Sequence, residues 1–194
     1  MRMHCFLAVI TAALSMPVLA EGAYLGAEVG RTNLKSTETD GVADPLKANA
    51  TGFGLYGGYQ FQPNAAIEVG YRDLGKIKDS VTIIESGTTA TANGTVKLQA
   101  LHISLLGIFP VSDEFSLYAR IGAARLKVKS DFSYTVSGVN ETDSDTVKKT
   151  HGMFGLGARF AVNKEFGVRA EYTHFSKTEE LKISNFTIGG DYQF

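Results

Sequence analysis

The sequence has a single cysteine, Cys5, and it lies among the first twenty residues. The rest of the chain can therefore form no disulfide, supply no thiol nucleophile and offer no cysteine-ligated metal. Beyond that opening segment, no apolar stretch approaches the ~20 residues that a membrane helix needs. Neither sign of charge prevails: 19 Lys and Arg stand against 20 Asp and Glu, so there is no basic field to suggest nucleic acid as a partner. His4, His102 and His151 are scattered without ligand spacing, which speaks against a metal site. The glycine pairs at 57–58 and 189–190 precede no helix start, so they are not phosphate loops, and nothing else resembles a cofactor motif.

The opening residues are easily read. Arg2 and His4 make a weakly basic start, Phe6 to Leu14 form a short apolar run, and Pro17 breaks it ahead of Val18-Leu19-Ala20. This is the pattern of a secretory signal, with cleavage expected after Ala20. Cys5 lies near the start of the apolar run, so it is badly placed to accept a lipid. The expected organisation is a signal peptide over 1–20 and one domain over 21–194. Those 174 residues carry 18 basic and 20 acidic side chains.

Hydropathy alone would describe a soluble protein, but the alternation of side chains does not. Successive residues of a strand point to opposite faces, so each segment divides into two interleaved sets. Leu25, Ala27 and Val29 oppose Tyr24, Gly26 and Glu28; Phe53, Leu55 and Tyr59 oppose Gly54, Tyr56 and Gly58. Ile67, Val69 and Tyr71 oppose Glu68, Gly70 and Arg72, and Leu101, Ile103 and Leu105 oppose His102, Ser104 and Leu106. Similar sets recur over 116–123, 153–160, 167–172 and 186–194, about eight in all. Tight turns are expected near Pro63, Asp113 and Lys164. Long polar loops are expected over 32–47, 76–94 and 129–149, with a shorter one over 177–180. Short turns at one end and long loops at the other is the arrangement of bacterial barrels. The predicted fold is therefore all-β: an eight-stranded antiparallel up-and-down transmembrane β-barrel in the bacterial outer membrane.

One set is apolar throughout, and the other is no ordinary solvated face. It is rich in glycine and holds Glu28, Glu68, Arg72, Arg120, Arg159, Arg169, Glu171 and Asp191, four acids balanced by four bases. Every base is arginine, the residue suited to bidentate pairing with carboxylates. A narrow closed barrel has room inside for small residues and a few large ones, and its buried charges must be paired. These eight residues are the expected interior charge network. Outward aromatic residues near strand ends suit interfacial girdles.

These residues lead to a family. Gly57-Gly58-Tyr59-Gln60-Phe61-Gln62-Pro63-Asn64, with Ile67-Glu68-Val69-Gly70-Tyr71 after it, closely resembles the second hairpin of the OmpA transmembrane domain. Tyr118-Ala119-Arg120-Ile121-Gly122 is similar to its fifth strand, and Arg169-Ala170-Glu171-Tyr172 to its seventh. The resemblance implies that Glu68, Arg120, Arg169 and Glu171 point into the barrel and form a polar plug that limits water flow. It also implies that the closing Tyr192-Gln193-Phe194 serves as the signal read by the barrel-assembly machinery. Arg159 stands where the family has an acid, and Ser104 or Leu106 near its inward lysine, so the pairing must be rewired. The sequence stops at Phe194, so the family's periplasmic peptidoglycan-binding domain is not expected.

The leading function is a structural outer-membrane protein with a largely closed interior and long extracellular loops. A narrow channel for ions or small solutes is the first alternative. Another is a lipid A-modifying hydrolase, because His174 and Ser176 resemble the His-x-Ser pair of outer-membrane deacylases. They share one strand face, ~7 Å apart by strand rise, but Ile188 stands where that family's acid would be, and no enzyme is expected. An extracellular ligand reached through the loops is a further alternative. Lys127, Lys129, Lys148 and Lys149 flank the third long loop. They read equally as a site for lipopolysaccharide phosphates or as solvated loop bases.

Overall fold

The computed structural model describes residues 22–36, 47–85, 88–136, 139–178 and 181–194. The expected signal segment, residues 37–46 of the first loop and the tip at 179–180 lie outside the described residues. Eight strands run in order: β1 (Ala23–Ser36), β2 (Lys47–Gln62), β3 (Ala65–Glu85), β4 (Thr88–Pro110), β5 (Phe115–Val136), β6 (Val139–Ala161), β7 (Phe166–Thr178) and β8 (Leu181–Gln193). Each pairs antiparallel with its neighbour in sequence. β1 also pairs with β8, from Tyr24↔Gln193 to Ser36↔Leu181, so the sheet closes on itself. Within the closed barrel the backbone has no free edges, which is what allows a sheet to cross lipid.

Gly22, the first described residue, and Phe194 lie at the end with the tight turns. There the Asn163 side chain accepts the N–H groups of Glu165 and Phe166 at 2.9 and 2.7 Å, and Ser112 Oγ accepts that of Phe115 at 3.1 Å. These side-chain caps replace ladder bonds that a short turn cannot make. The Phe194 N–H donates to the Ala23 carbonyl at 2.9 Å, closing the seam between β1 and β8.

The apolar set faces outward and touches little protein. Ile121 is 69% exposed, Leu156 70% and Leu101 61%, and the belt continues through Leu25, Leu55, Val69 and Ile188. Aliphatic exposure on this scale is untenable in water and ordinary against acyl chains. Inside, Tyr56 packs over its directly paired Gly26, Tyr24 over Gly58, and Tyr118 over Gly157. A Cβ at any of these three glycines would collide with the ring.

Two segments expected as long loops are paired strand instead. β3 and β4 stay in register from Gly75↔Leu98 to Glu85↔Thr88, and β5 and β6 from Arg125↔Thr150 to Val136↔Val139. β4 and β5 pair as far as Ala90↔Val136, so these four strands rise past the barrel as one sheet. The reason is compositional. Thr and Ser look like loop, but Thr is β-branched, and Val81, Ile83, Val136 and Val139 favour strand. β3 parts from β2 at a bulge over Asp73/Gly75, where Gly75 takes φ +96° and donates its N–H to Asp73 Oδ1 at 2.8 Å. A side chain at Gly75 would be strained.

Candidate functional site: the barrel interior

Alternation turns one side chain in two toward the axis, and register sets the height at which they meet. Six of the eight expected charges converge at one level. On β3, Arg72 Nε donates to Glu28 of β1 at 2.5 Å, and its Nη2 to Glu171 of β7 at 2.7 Å. Arg120 of β5 reaches Glu171 at 2.9 Å and Glu68 of β3 at 2.6 Å. Arg169 of β7 reaches Glu68 at 2.8 Å and Glu28 at 3.4 Å. Three arginines and three glutamates thus alternate around a closed cycle across the lumen. None of the six side chains is more than 4% exposed.

The spare donors are mostly satisfied as well. Arg72 Nη1 donates to Thr173 Oγ1 and Arg120 Nη1 to Ser104 Oγ, each at 2.8 Å; the Thr173 hydroxyl donates in turn to Glu171 at 2.6 Å. Tyr24 donates to Glu68 at 3.1 Å. The Arg169 guanidinium lies 3.3 Å above the Tyr56 ring, a cation–π contact at the loosest link of the cycle. Arg169 Nε is one of few buried polar atoms without a partner among the described residues, with His102 Nδ1 and Tyr118 Oη. His102 is inward and buried as its parity suggests, but it does not join the network.

Arg159 and Asp191 stand apart. They pair with each other at 2.5 Å toward the tight-turn end, where the Arg159 side chain is 26% exposed. The expectation that Arg159 would extend the central network is corrected. It lies opposite Arg169 in register, and its guanidinium turns away from that like charge to cover Gly167.

Above the ions, toward the long-ribbon end, the lumen changes character. Leu34, Leu74, Leu98, Leu126, Met153, Phe175 and Ile183 converge on the axis with Ala100 and Ala124, all 8% exposed or less. Ile77, Val96 and Val128 pack on them from the rising sheet. This apolar cap was missing from the sequence reading. Its signal is present in the sequence, since Leu34, Leu98 and Leu126 continue the inward parity of Glu28, His102 and Arg120, but those positions fall near or within the expected loops.

The remaining candidates lie outside the lumen. His174 is half-buried against the Phe154 ring, 5.1 Å between centroids, and Ser176 is exposed with its hydroxyl donated to the Gly152 carbonyl at 2.8 Å. Across from His174 stands Ser184, with no carboxylate at that register. Tyr192 stacks edge-on with both Phe166 and Phe194 at 5.0 Å, and Phe194 is 65% exposed. No group of three or more potential metal ligands occurs among the described residues.

A closed eight-stranded barrel with a lipid-facing aliphatic belt and its polar side chains turned inward defines an outer-membrane β-barrel protein. Solved structures of that class share the fold. One is Ail, the attachment invasion locus protein of Yersinia pestis, in complex with the heparin analogue sucrose octasulfate. It is 24% identical and has a TM-score of 0.54, over 89% of this chain and 99% of that one. Neisserial surface protein A is 14% identical, with a TM-score of 0.57 over 90% and 98%. The family described as the OmpA-like transmembrane domain matches residues 19–189, and the chain belongs to it. Outer membrane protein A of Escherichia fergusonii is 28% identical over 151 residues, 77% of this chain and 40% of that protein. Outer membrane protein P5 of Haemophilus influenzae is 33% identical over 149 residues, 69% and 37% respectively. The chain thus spans about 40% of the length of such relatives.

Proposed function

We propose that this protein is a structural component of the outer membrane whose lumen is shut by two stacked plugs, an ionic cycle and an apolar cap. The closed Arg–Glu cycle carries the reading, because it leaves no charged group free to solvate a passing ion. The cap adds a stretch that water has little reason to enter. Reconstituted into planar bilayers, the refolded protein should show no stepwise conductance above background. Steady ohmic steps would favour the narrow-channel alternative instead.

The first twenty residues act as a signal peptide in this reading, and 21–194 form the barrel domain in contact with outer-membrane lipid and lipopolysaccharide. The rising ribbons offer surface to an extracellular ligand. Tyr192 and Phe194 serve as the assembly signal. Deleting Phe194 should lower the heat-modifiable protein in outer-membrane fractions while leaving the urea stability of refolded barrel unchanged; normal membrane yield would remove that role. His174 and Ser176 have no catalytic role in this reading, since the hydroxyl is engaged by backbone and, among the described residues, no acid stands across from the imidazole.

A further inference from the structure

Below the ionic cycle, at the tight-turn end, the lumen holds a small chamber that neither plug uses. Its volume is about 40 Å³, and its walls are part apolar, from Leu106 and Ile108, and part polar, from Tyr118, Arg159, Arg169 and Asp191. Two of these side chains carry buried donors without a partner among the described residues: the Tyr118 hydroxyl and Arg169 Nε, on residues 6% and 4% exposed. Register brings them together. Tyr118 of β5 pairs with Gly157, over which its ring lies, and Gly157 pairs with Glu171 of β7. That carboxylate is already taken, by Arg72, Arg120 and Thr173. The Tyr118 hydroxyl and the Arg169 guanidinium remain within electrostatic reach of each other. Arg159 completes the set. It holds Asp191 through Nε and Nη2, which leaves its Nη1 without a protein acceptor among the described residues.

We infer that this chamber is a binding site for a short-chain monocarboxylate that enters from the periplasm. The unmet groups are all donors, and a buried donor left unpaired is costly, so the ligand that fits best brings acceptors alone. A carboxylate accepts from the Tyr118 hydroxyl, Arg169 Nε and Arg159 Nη1, two of them charged donors that make the stronger kind of hydrogen bond. Water would accept from the same groups, but each molecule also brings two hydrogens, and Leu106 and Ile108 accept neither. Those two side chains pack with Tyr118 and Tyr24 in one apolar cluster and suit a short alkyl group. The chamber has room for about three water-sized groups, which admits a simple acid and excludes a sugar or a nucleotide. Asp191 does not repel the ligand, because Arg159 neutralises it. The short turns mark the periplasmic end, and the Arg159 side chain, 26% exposed, stands at that mouth. The site is independent of whether the lumen conducts, so its failure and that of the closed-barrel reading are separately visible.

The test uses the full refolded barrel, labelled with ¹⁵N-arginine, in detergent micelles and chloride-free buffer at pH 7 and constant ionic strength. Three probes are titrated: acetate, its neutral isostere acetamide, and gluconate, a carboxylate too large for the chamber. The Arg169 Nε–H resonance should shift saturably with acetate and stay in place with the other two. Tyr118→Phe keeps the ring over Gly157 and removes one donor, so acetate should bind about tenfold more weakly. Arg159→Gln should weaken it as well, and heat-modifiable gel mobility confirms that each variant is folded. Asn185→Ala is the control, since Asn185 also carries an unpartnered buried atom but bonds Thr32 on the ribbon side of the cycle; its affinity should match that of the unaltered protein. A shift that never saturates would mean that water alone fills the chamber. An equal response to acetamide would overturn the charge requirement, and an equal response to gluconate would overturn the chamber as the site. Unweakened binding in Tyr118→Phe, or an equal loss in Asn185→Ala, would overturn the assignment of these residues.

Discussion

The ionic cycle and the apolar cap occupy the same lumen a few residues apart, yet they are held together by opposite physics. In the cycle, every glutamate contacts two arginines and every arginine two glutamates, so removing one member leaves two neighbours with one partner each and one buried charge uncompensated. In the cap, Leu98, Leu126, Met153 and Phe175 are interchangeable in kind, and losing one leaves a void that its neighbours partly fill. The cycle depends on matched charge, and each of its links needs a particular partner. The cap is graded and adds stability without specifying partners. A lumen built of the cycle alone would still be wet at its ribbon end.

The largest expected effect separates the two. Glu68→Ala leaves Arg120 and Arg169 buried without their shared carboxylate, at a cost of ~3–5 kcal/mol in urea titrations in lipid vesicles. If water enters to solvate them, the cost falls and planar-bilayer conductance rises instead. Glu68→Ala combined with Arg169→Ala should recover much of the stability. Unchanged stability and unchanged conductance together would mean that the cycle does not hold the lumen shut.

Leu98→Ala cuts into the cap and should cost ~2–4 kcal/mol through lost burial and a residual cavity, with conductance still at background because the ions below are intact. Conductance appearing in this variant would reverse the roles assigned to the two regions. The smallest effect belongs to the outlying pair. Arg159→Ala breaks a contact whose arginine is partly exposed at the periplasmic mouth; water reaching Asp191, 3% exposed while paired, should hold the loss to ~1–2 kcal/mol with no change in conductance. A loss as large as that of Glu68→Ala would show that Arg159 supports the central cycle after all.

Much of the fold was legible from period-two alternation alone. It marked the strands, the tight turns at Pro63, Asp113 and Lys164, and the split between lipid-facing and inward residues. The ribbons were misread because threonine and serine carry both loop and strand meanings, and only cross-strand pairing decides between them. Misreading them hid the cap, since Leu98 and Leu126 sit where β4 and β5 pass from the apolar belt into segments that look polar. Ile77 was harder still, because the bulge at Asp73/Gly75 shifts the parity of everything after it on β3.

By itself, then, the sequence determined which residues turn inward wherever a strand runs without a bulge, because there side-chain direction follows position along the strand. It determined that four arginines and four acids would share an interior. It did not determine who pairs with whom. Glu28 and Arg72 are 44 residues apart, Glu68 and Arg169 101, and each pair meets because barrel closure and strand stagger bring their positions to one height. The same stagger puts Asp191 beside Arg159 below the cycle and seven apolar side chains above it. Height along the axis is a property of all eight strands together, and only the tertiary structure decides it.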